Sequence, residues 1–181
     1  MAIKATVYKA GLQIADMDRG LYADHALTLA RQPSETDERL MVRVLAFARH
    51  AHEALAFTKG ISTDDEPDLW QKDLTGAIDL WIDIGQPDEK RIRKACGRAR
   101  QVVVLAYGGR KAQQWWAQNA GALARLPSLR VLALSDEDCE RLQRIAARTM
   151  SLTATVQDGH VWLATTEESV EVVPQHWLPR P

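Results

Sequence analysis

Apolar and polar residues alternate along two N-terminal stretches, which is the pattern of half-buried β-strands. In residues 4–15 the alternating apolar positions are Tyr8, Ala10, Leu12 and Ile14. In residues 21–30 they are Leu21, Ala23, Leu27 and Leu29. The polar segment DMDRG between them is typical of a turn. The pattern therefore predicts two strands joined by a short connection.

After Pro33 the apolar spacing changes to that of a helix. Ser34 is the predicted N-cap, and the acids of the first turn suit the positive end of the helix dipole. The predicted apolar face consists of Leu40, Met41, Val44, Leu45, Ala48, Ala51 and Leu55. Glu38 lies at the edge of this face, whereas Glu35 is expected to be solvated.

Residues 66–84 predict a β-hairpin in which acidic and aromatic side chains share one face. With Leu74–Ala77 as the loop, three pairs face each other: Asp68 with Asp83, Trp70 with Trp81, and Lys72 with Asp79. Directly opposed Cβ atoms lie about 4.5–5.5 Å apart. Two carboxylates at that distance repel unless a cation lies between them or one is protonated. Mg²⁺, Mn²⁺ or Ca²⁺ would suit such oxygen ligands better than zinc, and a solvated sheet face with a Lys72–Asp79 ion pair is the alternative.

A basic helix is predicted after the hairpin, beginning at Pro87–Glu89. Its buried stripe is Ile92, Ala95, Cys96 and Ala99, which leaves Lys90, Lys94 and Arg98 on the opposite face. A buried strand follows at residues 101–107. Further elements are predicted at residues 110–124 (helix), 129–134 (strand), 135–149 (helix), 151–162 (strand with a turn at 157–159) and 170–173 (strand). The proline-bounded tail HWLPRP is expected on the surface.

The amino-acid composition and net charge limit the kinds of protein that this chain can be. The chain has 181 residues, 46% of them hydrophobic and 26% charged, as in ordinary globular proteins. Its net charge of −1 means that any grip on nucleic acid must come from a local patch such as the basic residues between Lys90 and Arg100. No signal-peptide pattern or membrane-span pattern occurs, so we expect a cytoplasmic protein that does not enter a membrane. Dinucleotide, NTP-binding, α/β-hydrolase and zincin motifs are absent from the sequence.

Long segments of the chain resemble one bacterial family, the YaeQ proteins. They are KATVYKAGLQIADMDRGLYADHALTLARQPSETDERL, STDDEPDLWQKDLTGAIDLWIDIGQPDEKRIRKACGRA and VVVLAYGG. More broadly, Pro67-Asp68 followed by Asp83-Ile84-Gly85 and a basic helix is similar to the PD-(D/E)XK nuclease pattern. The resemblance implies an α/β protein with a mixed sheet, a compact variant of the nuclease core with additional strands at both termini. Residues 1–181 would form one YaeQ-like domain.

The nuclease resemblance also implies a site. Glu38, Asp68 and Asp83 would bind Mg²⁺ or Mn²⁺, with Asp68 and Asp83 as catalytic residues of a phosphodiesterase. The motif lysine is missing, because its position is Gly85. Lys90 is the first substitute, and Lys94 or Gln86 are alternatives. Lys90, Arg91 and Lys94 would bind the phosphates of DNA or RNA. The missing lysine leaves a second function open, a non-catalytic adaptor that binds nucleic acid or protein.

Overall fold

The computed structural model describes residues 4–59 and 65–179, and in them the chain forms a mixed α/β fold. Its elements in order are β1 (Thr6–Asp16), β2 (Leu21–Arg31), α1 (Asp37–Arg49), β3 (Leu55–Phe57), β4 (Leu69–Lys72), β5 (Ile78–Ile84), α2 (Glu89–Arg98), β6 (Ala99–Ala106), α3 (Arg110–Leu123), β7 (Leu129–Ala133), α4 (Asp136–Arg144), β8 (Thr149–Gln157), β9 (His160–Ala164), β10 (Ser169–Val172) and β11 (Gln175–Leu178).

The chain divides into two compact units. One consists of residues 1–51 and 137–173, and the other of residues 52–136 and 174–181. Each unit has its own sheet. The chain passes between the units at three points, so each unit is assembled from two separate segments.

The first unit contains a five-stranded mixed sheet with the order β10-β9-β8-β1-β2. β1 is antiparallel to β2 and parallel to β8. The hairpin of β8 and β9 turns at Asp158 and Gly159, both of which have positive φ (52° and 77°). Two positive φ angles are what a two-residue type I′ turn requires. The two predicted N-terminal strands are confirmed: they pair with each other, and β1 also pairs with the C-terminal strand β8.

Helix α1 of this unit begins later than the sequence predicted. Thr36 rather than Ser34 is the N-cap, since its side chain accepts a hydrogen bond from the Arg39 amide at 3.1 Å. All residues from Leu40 to Ala48 are buried. The expectation that Glu35 is solvated is wrong. Its carboxylate is buried and accepts two 2.8 Å hydrogen bonds from Arg43, which is also buried.

The second unit contains a six-stranded sheet with the order β11-β7-β6-β5-β4-β3. β5, β6 and β7 are parallel to one another, and α2 and α3 connect them. Apolar side chains of β5, β6, β7 and α2 form one buried cluster, with Trp81 as its largest member. The cluster includes Ile92, Ala95 and Ala99, which confirms these members of the predicted buried stripe. Cys96, the fourth residue of that stripe, is half-buried and packs against the cluster.

The hairpin of β4 and β5 has the predicted register over most of its length. Leu69 pairs with Ile82, Trp70 with Trp81, and Gln71 with Leu80. The register then shifts at a bulge, so that Lys72 lies opposite Ile78 rather than Asp79. The predicted Lys72–Asp79 pair does not form. The Lys72 ammonium lies 3.8 Å from the centre of the Trp70 ring, and Asp79 pairs with Arg100.

The C-terminal part differs from expectation in two places. The fourth helix ends at Arg144, not near residue 149, because β8 begins at Thr149. Residues 176–178 of the tail HWLPRP, which was expected on the surface, belong to β11 and pair with β7; His176 is exposed as expected, whereas Leu178 is buried. Trp177 stacks on Trp116 with ring centres 5.8 Å apart, which anchors this strand. Across residues 4–59 and 65–179, none of the helices combines the length and hydropathy needed to span a membrane.

Candidate functional site

Asp83 lies near the end of β5, with only 2% of its surface exposed. Its carboxylate is held by Arg91 of α2 through two hydrogen bonds of 3.0 Å, from Nε to Oδ2 and from Nη2 to Oδ1. This two-point geometry is the strongest common form of an arginine–carboxylate pair. The negative charge of Asp83 is therefore compensated within the protein.

Trp81 completes the surroundings of Asp83. Its indole Nε1 donates to Asp83 Oδ2 at 3.1 Å, so this oxygen accepts from two donors. The Trp81 ring is almost fully buried, and the guanidinium of Arg98 lies 5.1 Å from its centre. Trp70 on β4 meets Trp81 edge to face at 6.1 Å. Asp83 is thus held by Trp81 and Arg91, and the Trp81 ring in turn contacts Arg98 and Trp70.

Asp68 immediately precedes β4 and is also buried, with 6% of its surface exposed. Its Oδ2 accepts a 2.8 Å hydrogen bond from the Ile84 amide, and its own amide donates to the Ile82 carbonyl at 3.0 Å. These bonds tie Asp68 to the end of β5, on both sides of Asp83 in sequence. Asp68 is therefore bonded to both residues that flank Asp83, although the pairing of β4 with β5 begins at Leu69 and Ile82 and does not include the predicted Asp68–Asp83 pair.

Helix α2 positions Arg91. The N-cap Asp88 accepts from the Arg91 amide at 2.8 Å, which fixes the first turn close to the end of β5. From there the Arg91 side chain reaches Asp83, and its Nη2 also donates to the Glu66 carbonyl at 2.7 Å. Arg91 was expected to bind phosphate, and its role as the partner of Asp83 was missed. The available signal was a buried acid followed eight residues later by an arginine in the next helix.

Gly85 occupies the position of the missing motif lysine. Its φ is +99°, in the left-handed region that favours glycine. Its amide donates to the Leu105 carbonyl at 2.9 Å, which holds the chain in this turn. A lysine at this position would strain the backbone. The backbone conformation at residue 85 therefore favours glycine over the lysine of the nuclease pattern.

The predicted substitute, Lys90, is exposed in the first turn of α2. It makes no ion pair with any residue among 4–59 and 65–179. Lys94 is exposed too, and its ammonium contacts the Asp65 carboxylate at 2.9 Å. That contact lowers the pKa of Asp65 below its usual value. Arg98 donates to the Asp65 carbonyl at 2.7 Å. The three cations therefore line the exposed face of α2, as the helical spacing predicted.

Glu38 lies on α1 in the first unit, whereas Asp68, Asp83 and Lys90 belong to the second unit. Within the described part of the chain, no three or more His, Cys, Asp or Glu side chains gather into a group able to hold a metal ion. The acidic segment before the hairpin also suggested Asp64 or Asp65 as a further metal ligand from the sequence, and Asp64 lies outside the described residues.

The residues around Asp83 do not fit a resident divalent cation. Arg91 occupies both oxygens of Asp83 from one side, and Asp68 Oδ2 is engaged by a backbone amide. A guanidinium already supplies the positive charge that two adjacent aspartates need. A metal ion would have to displace a bidentate, partly buried ion pair before it could reach Asp83.

Comparisons with known proteins identify the family. The family model described as "YaeQ protein" matches residues 1–174. The uncharacterized YaeQ proteins of Salmonella typhi and Escherichia coli K12 are 48% and 47% identical to the chain over 177 residues, covering 98% of each protein.

Two crystal structures of YaeQ proteins have nearly the same fold. The protein from Xanthomonas axonopodis pv. citri is 52% identical, with a TM-score of 0.93, over 98% of this chain and 99% of that one. The protein from Pseudomonas syringae is 34% identical, with a TM-score of 0.92, over 97% of both chains. The relation to PD-(D/E)XK nucleases stays a prediction from the sequence. On these matches, which extend over almost the whole chain, the protein belongs to the YaeQ family.

Proposed function

We propose that this chain is a non-catalytic binding protein that holds the phosphate backbone of a nucleic acid on the exposed face of α2. The observation that carries the proposal is the two-point ion pair between Arg91 and Asp83. This pair neutralises the aspartate that a hydrolytic site would use for its metal. The groups that remain available to a ligand are the cations of α2, rather than a set of carboxylates that could bind a metal ion.

The cations on α2 suit phosphate rather than base recognition. Lys90, Lys94 and Arg98 are exposed and lie along one helix face. The ion pair of Lys94 with Asp65 is solvent-exposed, with 56% and 78% of the two side chains accessible. Solvent-exposed ion pairs contribute little to stability, so a phosphate group can replace the Asp65 carboxylate at little cost.

Salt dependence of binding to labelled oligonucleotides tests the proposal. Fluorescence anisotropy with single-stranded and duplex DNA and RNA should show binding at low salt that weakens as salt rises. Replacing two phosphate contacts should reduce the slope of log K against log salt by about 2 for duplex DNA. We therefore expect this reduction for the double variant Lys90→Ala/Lys94→Ala.

The matched control is the double variant Arg125→Ala/Arg130→Ala. It removes the same charge from exposed residues near the start of β7, at the opposite end of the parallel strands from Lys90. Its salt slope should equal that of the wild type. Equal loss of binding in both double variants, or no binding by the wild type at low salt, would overturn the proposal.

A second candidate function is cleavage of DNA or RNA with Mg²⁺ or Mn²⁺. Two buried aspartates at the ends of adjacent strands favour it. This function requires Arg91 to leave Asp83. Incubation of plasmid DNA and of RNA with the protein and 10 mM Mg²⁺ or Mn²⁺ decides between the two functions. Cleavage that disappears in Asp83→Asn would replace the binding proposal, whereas intact substrates together with salt-dependent binding would support it.

A further inference from the structure

An open groove of about 400 Å³ lies in the first unit, remote in sequence from α2. One wall is the beginning of β8, at Thr149 and Ser151. The facing wall is the loop between β9 and β10, residues 165–168. The chain between α4 and β8 lines the remaining side.

Along the β8 wall, no strand among residues 4–59 and 65–179 lies beside the start of β8 on the side of the groove. β8 begins at Thr149, but β9 pairs with it only from Thr153 onwards, opposite Ala164. After Ala164 the chain leaves β8 and returns as β10, which pairs with the far side of β9. Residues 149–152 of β8 therefore have β1 on one side and the groove on the other.

The backbone groups that face the groove follow from the hydrogen bonds to β1. Lys9 donates to the Arg148 carbonyl at 2.8 Å, and Met17 donates to the Val156 carbonyl at 2.7 Å. Successive residues of a strand direct their N–H and C=O groups to alternate sides, so even-numbered residues of β8 face β1. The N–H and C=O groups of Thr149 and Ser151 face the groove, where the described chain provides no strand to pair with them.

The opposite wall is ordered and acidic. The Thr165 hydroxyl accepts hydrogen bonds from the amides of Glu167 and Glu168 at 3.2 and 3.0 Å, and the Thr165 amide donates to the Glu168 carbonyl at 2.8 Å. Both glutamates are exposed, and neither pairs with a cation among residues 4–59 and 65–179. The carboxyl end of α4, which carries partial negative charge, lies beside the groove at Arg144. The side chain of Arg144 is already paired with Glu140 at 2.9 Å.

We propose that this groove binds an extended segment of another protein, which adds as a strand to the edge of β8 and carries lysine or arginine. Addition of a strand to a free sheet edge is a recurring mode of peptide recognition. Thr149 and Ser151 would bond to the backbone of the segment, and Glu167 and Glu168 would pair with its cations. Ile145 and Met150, both buried at the groove, would contact its apolar side chains.

A blocked five-residue peptide of alternating lysine and valine is the probe. In the free protein the amides of Thr149 and Ser151 should exchange with solvent rapidly, and those of Met150 and Leu152 slowly. Adding the peptide should shift the NMR signals of residues 149–151 and 165–168 and slow exchange at Thr149 and Ser151. The same peptide with methylated backbone nitrogens, which cannot donate, should not bind.

Two variants test the two parts of the proposal. Ser151→Pro removes a donor that faces the groove and leaves the bonds to β1 intact, so the fold should persist and the peptide should bind at least about tenfold more weakly. Unchanged β1 signals in its NMR spectrum verify the fold. Glu167→Gln/Glu168→Gln should weaken binding several-fold, whereas Glu53→Gln, an exposed acid in the other unit, should not.

The proposal fails if the amides of Thr149 and Ser151 are already protected in the free protein, because the edge would then be occupied. It also fails if signal changes lie elsewhere, if none occur at millimolar peptide, or if folded Ser151→Pro binds as the wild type does. Equal binding by Glu167→Gln/Glu168→Gln would overturn the choice of a basic partner.

Discussion

At the residue scale, Arg91 is the side chain whose removal tests the site most directly. In Arg91→Met the Asp83 carboxylate stays buried without its partner. Breaking a buried ion pair costs about 3–5 kcal/mol, and the 22% exposure of Arg91 places the expected loss nearer about 2–3 kcal/mol. Urea unfolding followed by circular dichroism measures the loss as a lower midpoint at unchanged slope.

Two further variants are the controls for Arg91→Met. Arg93→Met breaks a pair with Glu89 in which both side chains are well exposed, and it should change stability by less than about 1 kcal/mol. In Arg91→Met/Asp83→Asn the uncompensated charge is gone, while the asparagine oxygen still accepts from Trp81. This double variant should regain at least half of the lost stability. No recovery would contradict the assignment of the cost to the buried charge of Asp83.

Predictions for single residues succeeded where the alternation of a strand determines the face on which a side chain lies. They failed where a long side chain can reach several different partners. Asp68 and Asp83 were predicted as neighbours because strand pairing sets which residues face each other. Arg91 and Glu35 were misjudged for one reason. Helical spacing shows which face a residue occupies, but an arginine side chain reaches several ångströms beyond that face. Arg91 reaches Asp83, and Arg43 brings the charge of Glu35 into the interior.

At the scale of single elements, the N-terminus of α1 offers a direct comparison of two candidate caps. Thr36→Ala removes the acceptor for the Arg39 amide and should cost about 1 kcal/mol. Ser34→Ala alters the cap that the sequence favoured and should have almost no effect. Thermal or urea unfolding of both variants measures the difference. A larger effect of Ser34→Ala would contradict the observed start of the helix.

The turns at the ends of two hairpins of the first unit are joined by Asp18. Its carboxylate accepts hydrogen bonds from the amides of Asp158 and Gly159 at 2.7 and 2.9 Å. These bonds, that of Gly159 first, lower the pKa of Asp18 from its usual value of 3.8. A lowered carboxyl pKa stabilises the fold fully above the unfolded-state value, and this stabilisation disappears as pH falls through the lower folded-state value.

We therefore expect that, as the pH falls to 4 and below, the unfolding free energy of Asp18→Asn decreases less than that of the wild type. The unfolding free energy measured between pH 6 and pH 2 tests this. Asp24→Asn is the comparison, because Asp24 is an exposed acid on the outer strand of the same hairpin. Parallel pH profiles of wild type and Asp18→Asn would contradict the role of the two amide bonds.

Elements were predicted well wherever the pattern was long. Alternation predicted both N-terminal strands and the central hairpin, including the pairing of Trp70 with Trp81. The bulge at Lys72 escaped prediction because one extra residue leaves no mark in the alternation. β11 escaped it because prolines on either side of a short segment indicate a loop. Its pairing with β7 depends on a distant strand and on the stacking of Trp116 with Trp177.

At the scale of the whole molecule, the two sheets raise the question of cooperativity. The sequence predicts a single domain, and the three crossings of the chain between the units make independent unfolding costly. We expect one transition. Trp162 is the tryptophan of the first unit, and the other five, of six in all, belong to the second. In Trp162→Phe, fluorescence reports the second unit alone and circular dichroism reports both.

Coincident urea curves from the two probes in Trp162→Phe would support the single-domain prediction. A fluorescence transition displaced from that of circular dichroism would contradict it. Tyr22→Phe, an exposed aromatic substitution in the first unit, should leave both curves unchanged and controls for substitution itself.

The positions of most strands and the α/β class could be predicted from the sequence. The division of the strands into two separate sheets could not. The parallel pairing of β1 with β8 joins segments near opposite ends of the chain, as Lys9 beside Thr149 shows. No local pattern specifies such a pairing, because each strand alternates equally well against any partner.

β2 forms an outer edge of its sheet over eleven residues, a length at which sheet edges invite intermolecular pairing. Arg43, held by Glu35, donates from Nη2 to the Ala30 carbonyl at 3.1 Å and so occupies one end of that edge. The buried ion pair therefore also positions Arg43 to block one hydrogen-bonding position of this edge. Its loss would expose the Ala30 carbonyl on this edge, the longest edge strand among residues 4–59 and 65–179, so we expect a variant without the pair to lose solubility as well as stability.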